Sequence, residues 1–461
     1  MPLFSQSQVI SAVSGRLLVA SGRNYDSVST DTRALAPNAL YFAIHGENSN
    51  GHKYLNDAKA KGAAGVVIDE SVPGINYRDT VSGDWSVIEV TDTLFALGQL
   101  AKYHRAKFSI PFVGITGSAG KTTVKEMTAS ILSAQFNTLK SQGNYNNEIG
   151  LPLTLFNLTG AQERGVVEFG MRGLGQVSYL ASIVRPHVAT ITNIGSTHME
   201  ILGSKDNIAQ AKSEILEYLQ KNGTAVLPRD DAYYEYLREK LDFSHDVVTF
   251  GNAPTADVYP KKITFDNLGR GRFWFNCVGV ESFEIALSVP GTIQVTNALA
   301  AAASALSVGA TFDAVKEGLE GYVPDTSRMR LLTGKSGYTI VDDTYNANPE
   351  AMAVALNYME KVTVSGKKIA VLADMRELGP SSEKFHLEAG EKARKIGIDT
   401  LICVGEYAKF YAAGFGENAH HFADNASATD FVSGILGSDD IVLVKGSNSM
   451  NLIQVVNDLK S

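Results

Sequence analysis

Apolar positions along the chain switch between two patterns: short continuous runs bounded by glycine or polar residues, and longer stretches with apolar residues three and four apart. Buried strands and amphipathic helices read this way in a parallel α/β protein. The runs ALYFAIHG (Ala39 to Gly46) and AAGVVID (Ala63 to Asp69) place a small α/β domain over residues 1–90. Near Val90 the pattern turns helical, TDTLFALGQLAKYHRA, with Asp92 as an acid of the first turn, and then enters the strand-like IPFVGIT (Ile110 to Thr116). The runs GVVEFG (165–170), HVATITNI (187–194) and GTAVL (223–227), separated by helical stretches, predict a mainly parallel sheet in a central P-loop-type domain over 91–324. Antiparallel character is expected in HDVVTFG and GRFWFNCVGV, followed by an alanine-rich helix from Asn297 to near Gly309. A third βα series, YTIVDD (338–343), KKIAVLAD (367–374), TLICVG (400–405) and IVLVKG (441–446), predicts a Rossmann-like domain over 325–461. The fold class is therefore α/β in three domains, which also suits 461 residues.

Composition narrows the partners. Hydrophobic residues make up 44% and charged residues 20%, enough for several cores and too apolar for disorder. The 41 basic and 49 acidic residues give a formal charge of −8, so no overall positive field holds a nucleic-acid backbone and any phosphate site must be local. Only Cys277 and Cys403 are present, both in apolar runs, which fits a reducing cytoplasm and no disulfide framework. The N-terminus, MPLFSQSQVISAVSGRLL, lacks a basic start followed by an uninterrupted apolar stretch and reads as mature protein. The longest apolar run, Ala298 to Gly309, falls short of the roughly 18 to 20 residues that cross a bilayer, so no membrane insertion is expected.

The sharpest chemical signal is strand, glycine loop, helix: FVGIT, then GSAGKTT (Gly117 to Thr123), then VKEMTASILSAQF, with Val124, Met127, Ile131, Leu132 and Phe136 at helical spacing. Backbone amides at such a helix start cradle phosphate oxygens, Lys121 neutralises them, and the Thr122 hydroxyl can ligate magnesium. The general P-loop spacing would need glycine at 115, where Ile115 stands, so this loop is a shortened form. Glu168 ends the GVVEF strand, where α/β proteins build their sites; it is either a magnesium ligand or a solvated acid. His198, in TNIGSTHMEILGS, is a ligand or a structural histidine. Lys212 shares a stripe with Ile208, Ala211, Ile215, Leu216 and Leu219, so a charge lies on an apolar face. Either it snorkels or it has a function. SQGNYNNEIGLP (Ser141 to Pro152), holding Asn144 and Asn147, offers amides that read sugars, phosphates or peptide backbone, or that simply bond a turn. Arg328 and DDTYNANP (Asp342 to Pro349), holding Asn346 and Asn348, complete a nucleotide site or lie on the surface.

Taken together, TGSAGKTT with VKEM, QGNYNNEIGLPLTL, VVEFG, STHMEILGS, AKSEI, NALAAA and DDTYNANP resemble, in order and over nearly the whole chain, the Mur ligases, the ATP-dependent amide ligases of bacterial cell-wall precursors. VKEM, NYNNEIG, YNANP, ADMRELG and KGSNS look like the branch that joins D-alanyl-D-alanine to UDP-N-acetylmuramoyl-tripeptide. The resemblance implies a UDP-muramoyl-binding first domain, a central ATPase domain, and a last domain that closes on the site and binds the incoming dipeptide, in a monomeric cytoplasmic enzyme. It implies that Gly117, Ser118, Ala119, Gly120, Lys121 and Thr123 hold the ATP phosphates. Thr122 and Glu168 would bind one magnesium, and His198 with Glu168 would lie near a second. Lys212 matches a lysine that is carbamylated in family members, which would make it an anionic magnesium ligand. Asn297 and Asp343 match nucleotide contacts, and Arg328 an arginine that reaches the phosphates. Thr30, Asp31, Thr32 and Arg33, with Gly46 in HGENSNGH, resemble the uridine-nucleotide segments; Asn144, Asn147, Asn346 and Asn348 join the substrate set.

Four positions depart from the common pattern: Ile293 stands where histidine is frequent, Asn50 replaces an aspartate, Gln176 a glutamate, and Asn448 the arginine of KGSR. They bear on contacts to adenine and to the dipeptide. The chemistry that the resemblance implies is activation of the tripeptide carboxylate as an acyl phosphate, then attack by the dipeptide amine. Two other readings keep the phosphate loop. One is a sister ligase adding a single amino acid, or glutamate to folate, against which YNANP and the uridine segments argue. The other is a non-ligase P-loop ATPase, against which the acidic charge and the shortened loop argue.

Overall fold

The computed structural model describes residues 2–46, 50–69, 85–195, 197, 199–324, 327–376 and 378–460. These form two compact units, one of residues 1–250 with 300–315 and the other of 251–299 with 316–461.

The first unit holds two sheets. The smaller has the order Arg16–Val19, Ser86–Val90, Gly65–Asp69, Ala39–Phe42, Ser27–Ser29, with only the first pairing antiparallel. Every residue of Ala39–Phe42 and of Gly65–Asp69 is buried, so these strands read as continuous apolar runs. One continuous core joins this region to the next: Phe4, Val9 and Val13 belong to the same cluster as Leu97 and Leu100 of the helix Thr93–Arg105. Asp92 caps that helix, its carboxylate accepting the Phe95 N–H at 2.9 Å.

Six parallel strands form the second sheet of this unit, in the order Asp246–Phe250, Thr224–Pro228, Val188–Ile191, Phe112–Thr116, Arg164–Glu168, Thr138–Lys140. HDVVTFG is thus a parallel strand, in register with Thr224–Pro228, and the expected antiparallel character does not hold there. The exposed Asp246 and half-buried Val247 and Val248 imitate the one-sided burial of an antiparallel strand. Between Arg164–Glu168 and Val188–Ile191 the chain passes from one side of Phe112–Thr116 to the other. Such a reversal opens a crevice at the carboxyl ends of the strands, here at Thr116, Glu168 and Ile191.

In the second unit Val258–Phe265, Arg270–Cys277 and Phe283–Pro290 are antiparallel, and inward residues alternate with outward ones along Arg270–Cys277. Its other sheet runs Arg330–Thr333, Thr339–Asp343, Ile441–Lys445, Lys368–Ala373, Thr400–Val404, Ala419–Phe422, parallel except for the first pair. The four apolar runs expected here are its four central strands. The alanine-rich helix spans Ile293–Leu306, starting four residues before Asn297. Among the described residues no helix is long and apolar enough to cross a membrane.

Candidate active site

The glycine loop over residues 117–120 lies at the crevice. Phe112–Thr116 is fully buried and delivers the chain to Gly117, and the helix Lys121–Ser133 follows. Two glycines are required for physical reasons. Gly117 has φ +148° and a Cβ there would sit 1.9 Å from the Thr192 hydroxyl; Gly120 caps the helix at φ +80°. The loop is fastened from the next strand: the Ser118 N–H donates to the Asn193 carbonyl at 3.0 Å, the Ala119 N–H to Asn193 Oδ1 at 3.0 Å, and the Thr192 hydroxyl to the Ala119 carbonyl at 2.6 Å. The first turn of the helix, through Thr123, has N–H groups with no acceptor inside the helix, an arrangement that can bind an anion such as phosphate. Lys121 folds over the loop, its Nζ donating to the Gly117 carbonyl at 2.8 Å. The stripe Val124, Met127, Ile131 and Leu132 is buried, which holds the helix start in place; Phe136 lies beyond the helix end.

Glu168 is 2% exposed and accepts hydrogen bonds from the Thr122 hydroxyl at 2.9 Å and the Asn146 amide at 2.7 Å. Among the described residues it makes no ion pair. A buried carboxylate beside a threonine hydroxyl, with neutral donors only, is a set of hard oxygens that fits magnesium. Sequence reasoning singled out Asn144 and Asn147 in the amide-rich segment, yet Asn146 is the residue brought to Glu168. Asn147 Oδ1 instead accepts the Gly150 N–H at 2.8 Å, ahead of the helix Gly150–Leu155, while Asn144 is exposed. Lys125, fully buried, ties this segment to the loop helix: its Nζ donates to the Ser141 and Gly143 carbonyls at 2.7 and 3.1 Å and pairs with Glu126 at 2.7 Å.

Lys212 is 1% exposed in the helix Lys205–Ser213, on the predicted stripe with Ile208, Ala211, Ile215, Leu216 and Leu219, all buried. The helix tightens to a 3-10 turn at Glu214. Snorkelling is excluded by that burial. Among the described residues no carboxylate pairs with Lys212; burial, and then repulsion from Lys121, push its ammonium down to about 7. His198 lies outside the described residues.

In the uridine-like segment Arg33 forks onto Asp31, with Nη2 to Oδ2 at 2.7 Å, and holds that carboxyl at about 2. Asp31 caps the turn Thr32–Ala34, Lys61 donates to the Thr32 carbonyl at 2.8 Å, and Thr30 and Gly46 belong to neighbouring loops. His52 is buried between the Asn50 side chain at 2.9 Å and the Asp69 N–H at 3.0 Å, and burial lowers its pKa.

The second unit gathers another set. Asp343 pairs with the buried Lys445 at 2.6 Å and accepts the Met329 N–H at 3.2 Å; burial raises its carboxyl and Lys445 opposes the rise. Arg328 stacks its guanidinium 4.0 Å from the Tyr345 ring centroid. Asn348 caps the helix Pro349–Lys361 by accepting the Ala351 N–H at 2.7 Å, and Asn346 Oδ1 accepts the Ala347 N–H at 2.9 Å. Asn297 is buried and donates to Gln294 at 3.0 Å.

The comparisons with known proteins agree over the chain. The Mur ligase family, catalytic domain, matches residues 24–105, the Mur ligase middle domain 115–305, and the Mur ligase, glutamate ligase domain, 327–448. The UDP-N-acetylmuramoyl-tripeptide--D-alanyl-D-alanine ligase of Escherichia coli is 35% identical over 459 residues, covering 98% of each chain. A crystal structure of MurF from Acinetobacter baumannii superposes with a TM-score of 0.88 at 29% identity, covering 99% of this chain and 98% of that one. MurF ligase from Thermotoga maritima, solved in complex with ADP, gives a TM-score of 0.75 at 27% identity, covering 94% and 96%.

Proposed function

Because the chain belongs to the Mur ligase family, we propose that it joins D-alanyl-D-alanine to UDP-N-acetylmuramoyl-tripeptide with ATP as the energy source, forming ADP and phosphate. The observation that carries this reading is the phosphate loop with Thr122 bonded to the buried Glu168 at the carboxyl edge of the parallel sheet. It is supported by relatives of that name matched nearly end to end.

ATP phosphates take the first-turn N–H groups of Lys121–Ser133, and Lys121 leaves its loop carbonyl to neutralise them. Thr122 and Glu168, with His198 and a carbamylated Lys212, are assigned to magnesium, which when bound offsets the repulsion between the γ-phosphate and the substrate carboxylate. Asn146 and Thr122 hold Glu168 in position through both carboxylate oxygens. The tripeptide carboxylate attacks the γ-phosphorus, the bond from that phosphorus to the β,γ-bridging oxygen breaks to release ADP, and the carboxylate becomes an acyl phosphate, so a poor leaving group is replaced by a good one. The dipeptide amine then adds to the carbonyl carbon, loses a proton, and phosphate departs with the former carboxylate oxygen. Residues 1–90 are assigned to the UDP-muramoyl moiety, through Thr30, Asp31, Thr32, Arg33 and Gly46. Residues 91–324 are assigned to ATP and magnesium, with Asn144 and Asn147 toward substrate. Residues 325–461 are assigned to the dipeptide, through Asn346 and Asn348, and Asn297, Arg328 and Asp343 to the nucleotide. The enzyme acts as a cytoplasmic monomer.

Oxygen-18 in the tripeptide's terminal carboxylate tests the route: one label must appear in each phosphate released, and unlabelled phosphate would refute an acyl phosphate. For the metal, Glu168→Gln should raise the magnesium concentration needed for half-maximal activity by about 10- to 100-fold, because a neutral amide replaces the buried carboxylate. Magnesium titrations that overlay the parent curve would remove Glu168 from the metal site.

A further inference from the structure

Three loops meet at the carboxyl edge of the second unit's parallel strands, and Ser447 ties them together. Its hydroxyl accepts the Arg376 N–H at 2.8 Å and donates to the Ala347 carbonyl at 3.4 Å, and its own N–H donates to the Asp374 carbonyl at 3.2 Å. Lys445, the buried cation at this edge, is committed to Asp343 and to the Asn346 carbonyl at 2.6 and 2.8 Å. Arg376 is placed differently. Its side chain is 45% exposed, and its guanidinium reaches Asp374 at 3.5 Å and the Met450 sulfur at 3.3 Å. Those contacts leave several of its five N–H donors open. Asp374 is fully buried and already accepts the N–H groups of Glu406 and Tyr407 at 3.1 and 3.0 Å, so it aims the guanidinium without covering it. The Met450 contact sets that guanidinium on the turn that carries Asn448, whose amide donates to the Tyr345 carbonyl at 3.2 Å. Position 448 is where the KGSR pattern has its arginine, so this chain has an amide in the turn and an arginine reaching it from the adjacent loop.

We propose that Arg376 binds the C-terminal carboxylate of the incoming dipeptide, in place of an arginine at 448, and makes the enzyme selective for a dipeptide with a free carboxyl end. This rests on the ligase reading above. The dipeptide amine must be neutral and unencumbered to attack, so the carboxylate is the group by which it can be oriented. A guanidinium fork matches a carboxylate in geometry and charge, and the carboxyl edge of a parallel sheet is where α/β folds present ligands.

The test compares the parent, Arg376→Ala, Arg376→Lys and Arg376→Ala/Asn448→Arg on D-alanyl-D-alanine and on its C-terminal amide. Arg376→Ala should raise KM for the dipeptide about 10- to 100-fold, with KM for ATP and for the muramoyl substrate within about 3-fold of the parent. Arg376→Lys should fall between, and Asn448→Arg should restore most of the loss. The parent should disfavour the amide by a similar factor, and Arg376→Ala should treat dipeptide and amide nearly alike. An unchanged dipeptide KM in Arg376→Ala, or an equal loss on dipeptide and amide, overturns the assignment. Ligation of the dipeptide by the parent, measured in the same series, separates failure of Arg376 from failure of the ligase reading.

Discussion

Lys121→Ala should lose ligation by at least about 10²- to 10³-fold, the size expected when a preorganised charge facing the reacting phosphates is removed. The loop should survive, because its shape comes from elsewhere: Gly117 and Gly120 supply the backbone angles, and Thr192 and Asn193 supply the fastening bonds. Among the contacts that Lys121 gives up are bonds to two loop carbonyls, at 2.8 and 3.4 Å. Circular dichroism and the thermal midpoint of the variant should therefore stay close to the parent, while ADP release in the presence of all substrates collapses. Near-parent turnover in a folded variant would dismiss the phosphate assignment.

Lys212→Ala should cost roughly as much, about 10²-fold or more, and small carboxylates such as acetate should recover part of the activity by occupying the vacated oxygen positions. A cationic lysine at 1% exposure with no carboxylate partner among the described residues is poorly solvated. Its pKa is lowered to about 7, chiefly by that burial. The neutral amine that reacts with CO2 therefore predominates above about pH 7, and protonation removes it as the pH falls through that value. Activity in CO2-depleted buffer should drop and return with bicarbonate, more readily at pH 8 than at pH 6. Full activity of Lys212→Ala without additive would reject the residue's role, and indifference of the parent to CO2 would reject the carbamate.

The sequence discloses strands in proportion to how completely they are buried. Phe112–Thr116, Lys368–Ala373 and Ile441–Lys445 have at most one residue short of full burial, and each lies within a predicted run. Thr138–Lys140, Arg330–Thr333 and Ala419–Phe422 are only half-buried and leave no continuous apolar signature, so no run predicted them. The same rule applies to the site. Glycine spacing and a lysine on an apolar stripe are local facts, legible along the chain. Asn193, Asn146 and Arg376 gain their meaning from partners far away in sequence: Asn193 at Ala119, Asn146 at Glu168, and Arg376 at Ser447 and Met450. Lys125 stood in view inside VKEM, but its task of holding the Ser141 and Gly143 carbonyls emerges only once helix and loop are folded together.

The most direct measurement is the mass of the product made by purified enzyme from ATP, UDP-N-acetylmuramoyl-tripeptide and D-alanyl-D-alanine, with ADP counted in the same reaction. The account predicts a single product heavier than the tripeptide substrate by one dipeptide less one water, with one ADP per product, no ADP when the tripeptide substrate is withheld, and no product and at most one ADP per enzyme when the dipeptide is withheld. Addition of a single amino acid instead, or ADP release that ignores both substrates, would contradict it.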